Sequence, residues 1–164
     1  MSANDLFPFD ILCQMKLTPG IDYIGISTPF YCVDGKGHLL MHKRSKNCRD
    51  EKGRWDTGAG QLHFGEKTEE GVLREVKEEY GCRGEILERV PAYSVLRTQN
   101  GIKTHWLAIP FVIKVDPEEV KNNEPEKIDE IGWFTLDNLP KPLHSAFRRY
   151  ELTEERIKYI KKYI

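Results

Sequence analysis

The sequence predicts an α+β domain, and three observations carry that prediction. Several segments have the Ile, Val, Tyr and Phe content of strands. A single amphipathic stretch with helical spacing, residues 68–80, lies between them. The 164 residues, 39% hydrophobic and 31% charged, suit one core of ordinary size. We divide the chain into a lead-in over 1–20 and a single domain over 21–164.

The elements follow in chain order. Residues 21–33 read as a strand, Asp34-Gly35-Lys36-Gly37 as a turn and 38–43 as a second strand, together a hairpin. A polar loop runs from Arg44 to Arg54. The helix has Thr68 as its expected N-cap, Glu69 and Glu70 at the positive end of its dipole, and Gly81 as a left-handed stop. Gly71 inside it weakens it by ~1 kcal/mol relative to Ala. Residues 85–96 and 104–115 read as strands joined by a turn at Asn100-Gly101, and Pro110 marks a bulge or an edge in the second. A charged loop over 116–127 leads to a short strand at 131–135. The chain ends in a helix with Thr153 as N-cap and an apolar stripe of Ile157, Ile160 and Ile164.

A net charge of −1 provides no basic field for a nucleic-acid polymer. No segment is apolar enough for a membrane span, and the N-terminal residues lack a leader's basic and apolar regions. The four cysteines, Cys13, Cys32, Cys48 and Cys82, are scattered and form no CxxC pair, which suits reduced thiols. A soluble cytoplasmic protein is the expectation.

The chemistry concentrates in the helix. At about 100° per residue, Val72, Leu73, Val76 and Tyr80 share a face that can lie on a sheet. Glu75, Glu78 and Glu79 share the neighbouring stripe. Carboxylates crowded this way repel one another and resist joint ionisation unless a cation joins them. Oxygen ligands of this charge suit Mg²⁺ or Mn²⁺.

Upstream spacing makes the pattern specific. Gly60, five residues, Glu66, seven residues, then Arg74-Glu75-Val76-Lys77-Glu78-Glu79-Tyr80-Gly81 resembles the Nudix box, with all seven fixed identities in place and Cys82 standing at the last aliphatic position. The resemblance implies an α/β/α sandwich with a central mixed β-sheet. It also implies Mg²⁺-dependent hydrolysis of a nucleoside diphosphate linked to another group, with Mn²⁺ as a substitute. It assigns Glu75, Glu78, Glu79 and the Gly60 carbonyl to metal binding, and Glu66 and Arg74 to a brace. A further carboxylate from beyond the box is implied too. Glu124, Glu126, Asp129 and Glu130 are candidates, with Glu126 expected first and Glu130 second. Homodimers are frequent in the family, but no dimer seam is legible in the sequence.

Residues outside the box bear on the substrate. A proline about 15 residues past the box would resemble the ADP-ribose hydrolases, and a tyrosine slightly further on the dinucleoside polyphosphate hydrolases. Those places hold Arg97 and Thr98-Gln99-Asn100. Gly60-Gln61-Leu62-His63-Phe64-Gly65-Glu66, with Glu124-Pro125-Glu126-Lys127, Trp133-Phe134 and Leu139-Pro140, is instead similar to the loop and tail of MutT-like nucleoside triphosphate diphosphatases. Two departures are His63 in the place of an acid and Gly58-Ala59 in the place of Pro-Gly. The expected substrate is a small nucleotide triphosphate, cleaved to the monophosphate and pyrophosphate. Arg44, Trp55, Phe64 and Trp133 are its expected contacts, and Lys43 and Trp106 are further candidates. A nucleotide sugar or other diphosphate-linked metabolite stays open as the substrate, and so does a Nudix-fold module that binds nucleotides without hydrolysis.

Overall fold

The computed structural model describes residues 17–99 and 101–164. The lead-in up to residue 16, with Cys13, lies outside the described residues, as does Asn100 of the expected turn. Nine strands form one mixed sheet: β1 (Gly25–Val33), β2 (Leu39–Arg44), β3 (Trp55–Asp56), β4 (Ala59–Gln61), β5 (Gly84–Arg89), β6 (Tyr93–Gln99), β7 (Ile102–Ala108), β8 (Phe111–Val115) and β9 (Ile128–Phe134). The principal helices are α1 (Thr68–Tyr80) and α2 (Glu154–Lys161).

Both long strands expected from composition are broken in two. Residues 85–96 divide at Val90-Pro91-Ala92 into β5 and β6, and 104–115 divide at Ile109-Pro110 into β7 and β8. Proline has no N–H to give a ladder, so pairing changes partner there. β1 runs parallel to β7 through Gly25–Ser27 and parallel to β8 through Phe30–Val33. β6 then pairs antiparallel with β7, and β5 with β8. β4, not expected as a strand from the sequence, pairs antiparallel with β1 and lies against α1's acidic side. Three residues with two small side chains leave too little pattern to read as a strand.

Side-chain alternation puts core on both faces of the sheet. Phe30, Cys32, Leu40, Phe111 and Ile113 face α1 and pack with Val72, Val76 and Tyr80. Tyr31, Val33, Leu39, Met41 and Val112 face the other way, against Phe147 and Ile160. Helix, sheet and helix thus form the expected sandwich. Each fully buried Val, Leu or Phe in these layers contributes ~1.5–3 kcal/mol by leaving water. Cys32, Cys48 and Cys82 are buried free thiols.

The N-cap of α1 falls one residue before the expected one. Lys67 is the N-cap, with its N–H donating to the Glu70 carboxylate at 3.4 Å, while Thr68 donates its hydroxyl to Glu69. Gly81 closes the helix at φ 65°, as its sequence position predicts. Gly71 has a second reason to be glycine: a Cβ there would lie 2.8 Å from Leu62 Cδ1 and 3.0 Å from Glu66 Oε2. Its absence lets the preceding loop close on the helix. Among the described residues no helix is long and apolar enough to cross a membrane.

Candidate functional site

Arg74 joins the loop to the helix. Its Nε and one terminal nitrogen donate to the two Glu66 oxygens at 2.8 and 3.0 Å, a fork on a carboxylate. The same guanidinium donates to the Gln61 carbonyl at 3.2 Å, Glu75 Oε1 at 2.5 Å and Glu78 Oε2 at 3.3 Å. Arg74 holds the Glu66 carboxyl down to about 2. The spacing of Gly60, Glu66 and Arg74 in the sequence is thus a physical tie between β4, its loop and α1.

Two glycines hold the acidic side close to the backbone. A Cβ on Gly60 would overlap the Glu75 carboxyl, 1.7 Å from its Cδ, and one on Gly58 would lie 2.7 Å from Glu79 Oε2. Glu79 is 8% exposed and its Oε2 has no hydrogen-bond partner among the described residues. Burial, then the carboxylates of Glu75, Glu124 and Asp56, push the Glu79 carboxyl well above the usual carboxylate range. Burial raises Glu75 too, against the pull of Arg74. His42 lies 3.5 Å from Glu79 Oε2 and is driven down to about 4 by burial. Tyr80 donates its hydroxyl to the Thr57 carbonyl at 3.1 Å, so the neutral His42 ring donates from Nδ1 to the Tyr80 oxygen at 2.9 Å.

The acids that meet in space differ in part from those expected. Glu75, Glu79 and Glu124 line one cavity of about 480 Å³ with Lys127, whose ammonium is 2.6 Å from Glu124. Glu78 is half exposed and turned to Arg74. Glu126 is exposed and absent from the cavity wall; its backbone carbonyl accepts from Ser45 and Asn47 instead. Glu130 is also exposed, on β9 opposite Lys43. The tight turn at 124–127 explains this placement: Lys127 N–H bonds the Glu124 carbonyl, so the acid before Pro125 faces inward and the one after it faces out. Among the described residues no three acid, His or Cys side chains converge closely enough to chelate an ion. The donor set still fits a hard divalent cation. Buried, mutually repelling carboxylates, one with an orphaned oxygen, lie beside glycines that leave room for them.

A second cavity, about 520 Å³, adjoins the first and shares with it Arg44, Arg49, Asp50, Ala59, Gly60 and Gln61. One sheet face builds its floor: Tyr93, Val95 and Arg97 from β6, Thr104 and Trp106 from β7, Ser27 and Pro29 from β1. Period-two alternation brings them together from separate strands. Gly20 and Gly25 keep Trp106 in place, since a Cβ on either would lie within 2.5 Å of its ring. Arg44 donates to Asp50 Oδ1 at 2.8 Å, and Arg97 sits 3.4 Å from the other oxygen of the same carboxylate. Of the expected substrate contacts, Arg44 lines both cavities and the other three line neither. Trp55 is core, 6% exposed and edge-on to Phe134 at 5.1 Å. Trp133 packs against the core beneath α1, and Phe64 projects fully into solvent. Trp106, a further candidate in the sequence, is the tryptophan on a cavity wall. Arg49, Arg97 and His144 went unnoticed as site residues, because only the tertiary fold brings a loop, a strand and the segment after β9 to one cavity.

A loop–helix–loop braced by one arginine is carried on a mixed sheet between helices. The NUDIX domain matches residues 26–155, and the chain belongs to the Nudix family of hydrolases. It is 32% identical over 117 residues to an ADP-ribose pyrophosphatase of Methanocaldococcus jannaschii, covering 69% of this chain and 66% of that protein. It is 33% identical over 129 residues to the NAD-capped RNA hydrolase NudC of Stutzerimonas stutzeri, covering 78% of this chain and 44% of that protein. The chain thus spans only part of the length of these relatives. Among solved structures, a MutT NUDIX hydrolase from Burkholderia pseudomallei superposes with a TM-score of 0.67 at 30% identity, over 76% of this chain and 92% of that one.

Proposed function

We propose that the chain hydrolyses a nucleoside triphosphate to the monophosphate and pyrophosphate, with Mg²⁺ as cofactor and Mn²⁺ as substitute. One observation carries this reading: the cavity holding Glu75, Glu79 and Glu124 shares its wall at Gly60 with a second cavity lined by arginines and Trp106. Phosphates and nucleoside then have adjoining places.

Glu75, Glu79 and Glu124 would hold the cation, with Glu124 in the part expected of Glu126, and Glu78 would join them if it left Arg74. Bound there, the ion would neutralise phosphate charge and lower the pKa of a water. A carboxylate of this cluster accepts the proton as the water attacks phosphorus. Arg74 and Glu66 fix the loop and helix so that the carboxylates keep their spacing. Arg44 and Arg49 receive the phosphate oxygens beyond the shared wall. Trp106 and Val95 give the base an apolar surface.

A second reading has its own observation. The likeness to the archaeal ADP-ribose pyrophosphatase and the roomy second cavity favour a diphosphate joining two larger groups. The experiment is a panel with Mg²⁺: pyrophosphate release from eight ribo- and deoxyribonucleoside triphosphates, and AMP release from ADP-ribose and NAD⁺. Pyrophosphate from a triphosphate, lost in Glu79→Gln, supports the first reading. Cleavage of ADP-ribose with triphosphates untouched overturns it for the second. Tight nucleotide binding without turnover of any substrate overturns both.

A further inference from the structure

The second cavity has a polar corner that the phosphate chemistry does not use. Glu151 lines it, is 6% exposed, and has an Oε2 with no hydrogen-bond partner among the described residues. Tyr93 lines the same cavity at 7% exposure, and its hydroxyl is also unpartnered there. Neither residue lines the cavity of Glu75 and Glu79. Glu151 Oε2 and the Tyr93 and Tyr31 hydroxyls, all without a hydrogen-bond partner among the described residues, face one another at this corner. A buried polar atom left unpaired costs roughly 1–3 kcal/mol, so a polar ligand that reaches Glu151 and Tyr93 at the cavity wall gains by pairing with them. The ring of Tyr93 is fixed from behind by the Arg156 guanidinium, 4.2 Å from its centroid. His144 lines the same cavity, and its Nδ1 accepts from the Ala146 N–H at 3.1 Å.

We propose that Glu151 and Tyr93 form the subsite that reads the hydrogen-bonding edge of the substrate's nucleobase. This rests on the nucleotide reading above. Every base edge sets a donor beside an acceptor, and a neutral carboxylic acid answers with its C=O and O–H. Burial, then the Asp56 carboxylate, push Glu151 up to about 8, so it carries its proton at neutral pH. Once ionised it only accepts. It then favours an edge with two adjacent donors, which guanine presents at its ring N–H and exocyclic amine, and meets an unprotonated ring nitrogen in adenine as lone pair against lone pair. The groups facing Glu151 are Tyr31 from β1, Asp56 from β3, Tyr93 from β6 and Arg156 from α2.

The test uses the whole protein without metal and measures calorimetric binding of AMP, GMP and ribose 5-phosphate at pH 6.5 and 8.8. The wild type is expected to prefer GMP over AMP about tenfold more strongly at pH 8.8 than at pH 6.5. Glu151→Gln keeps a donor and an acceptor at every pH, so its ratio stays constant. Tyr93→Phe weakens both nucleotides several-fold and leaves ribose 5-phosphate unchanged. The same pH shift of the ratio in Glu151→Gln as in wild type, or no pH shift in wild type, overturns the proposal. So does Tyr93→Phe with unchanged AMP and GMP affinities. Failure of the nucleotide reading looks different: no nucleotide is then hydrolysed in the panel of the preceding section, whereas hydrolysis with a base reading that ignores Glu151 removes only this subsite.

Discussion

Gly58→Ala separates a backbone requirement from a packing one. Gly58 has φ 108°, a region that side chains other than glycine's rarely adopt, and a Cβ there would lie 2.4 Å from the Phe30 ring and 2.7 Å from Glu79 Oε2. Phe30 is fully buried and its ring meets Tyr80 edge-on at 5.9 Å, so it has no free direction in which to yield. Gly53 supplies the control: φ is 71° and nothing lies within 4 Å of the added Cβ. Gly53→Ala should therefore cost only the left-handed conformation, about 1–2 kcal/mol. Gly58→Ala adds overpacking of about 1–3 kcal/mol, hence about 2–5 kcal/mol in all. At roughly 2–4 °C per kcal/mol for this chain length, an excess of about 2 kcal/mol lowers the melting temperature by about 6 °C beyond the control. The assay is thermal unfolding by circular dichroism of both variants in EDTA, with urea titration to check that m is unchanged. If Gly58→Ala melts within a degree of Gly53→Ala, the close approach of Phe30 and Glu79 to the Gly58 backbone is wrong.

Other expectations concern the charges. Arg74→Ala strands Glu66 and Glu75 and should lower stability by about 2–3 kcal/mol in urea unfolding, with Arg74→Lys recovering less than half because it lacks the fork. Glu79→Gln should reduce kcat/KM by about 100-fold or more. In metal-free protein the same change should raise the melting temperature at pH 8. The folded pKa of Glu79 is raised, so its contribution to stability is present below the unfolded pKa and lost as pH rises. Wild type and variant should therefore converge near pH 4, and Mg²⁺ should stabilise the wild type alone. Glu66 has the opposite sign. Its folded pKa is lowered to about 2, so its contribution is present above the unfolded pKa and lost as pH falls through about 2. Glu66→Gln should flatten that part of the acid limb in a pH-dependent melting series.

Local periodicity made the helix and its two faces legible in the sequence, and the resemblance to the Nudix box implied the Glu66–Arg74 tie. Each depends on residues within a few turns of one another. Glu124 was harder to read. Four acids lie within seven residues there, and a turn at Pro125, not composition, decides which faces inward. The second cavity was harder still, since β1, β4, β6, β7 and the segment at 144–151 each give it residues. Trp55 shows the converse. A tryptophan beside the box suggests a stacking surface, but β3 pairs with β2 in a register that sends its ring into the core against Phe134.

The interruption at Ile109-Pro110 has a consequence for how such a chain can change. β1 meets β7 with one half and β8 with the other, and Pro110 cannot extend the ladder between them. The β7 half walls the second cavity, while the β8 half supports α1. Substitutions that reshape the wall fall on one side of the break, and the platform that keeps the carboxylates in place stays on the other. The two halves of β1 thus serve two different surfaces, the cavity wall and the packing of α1, along a single strand.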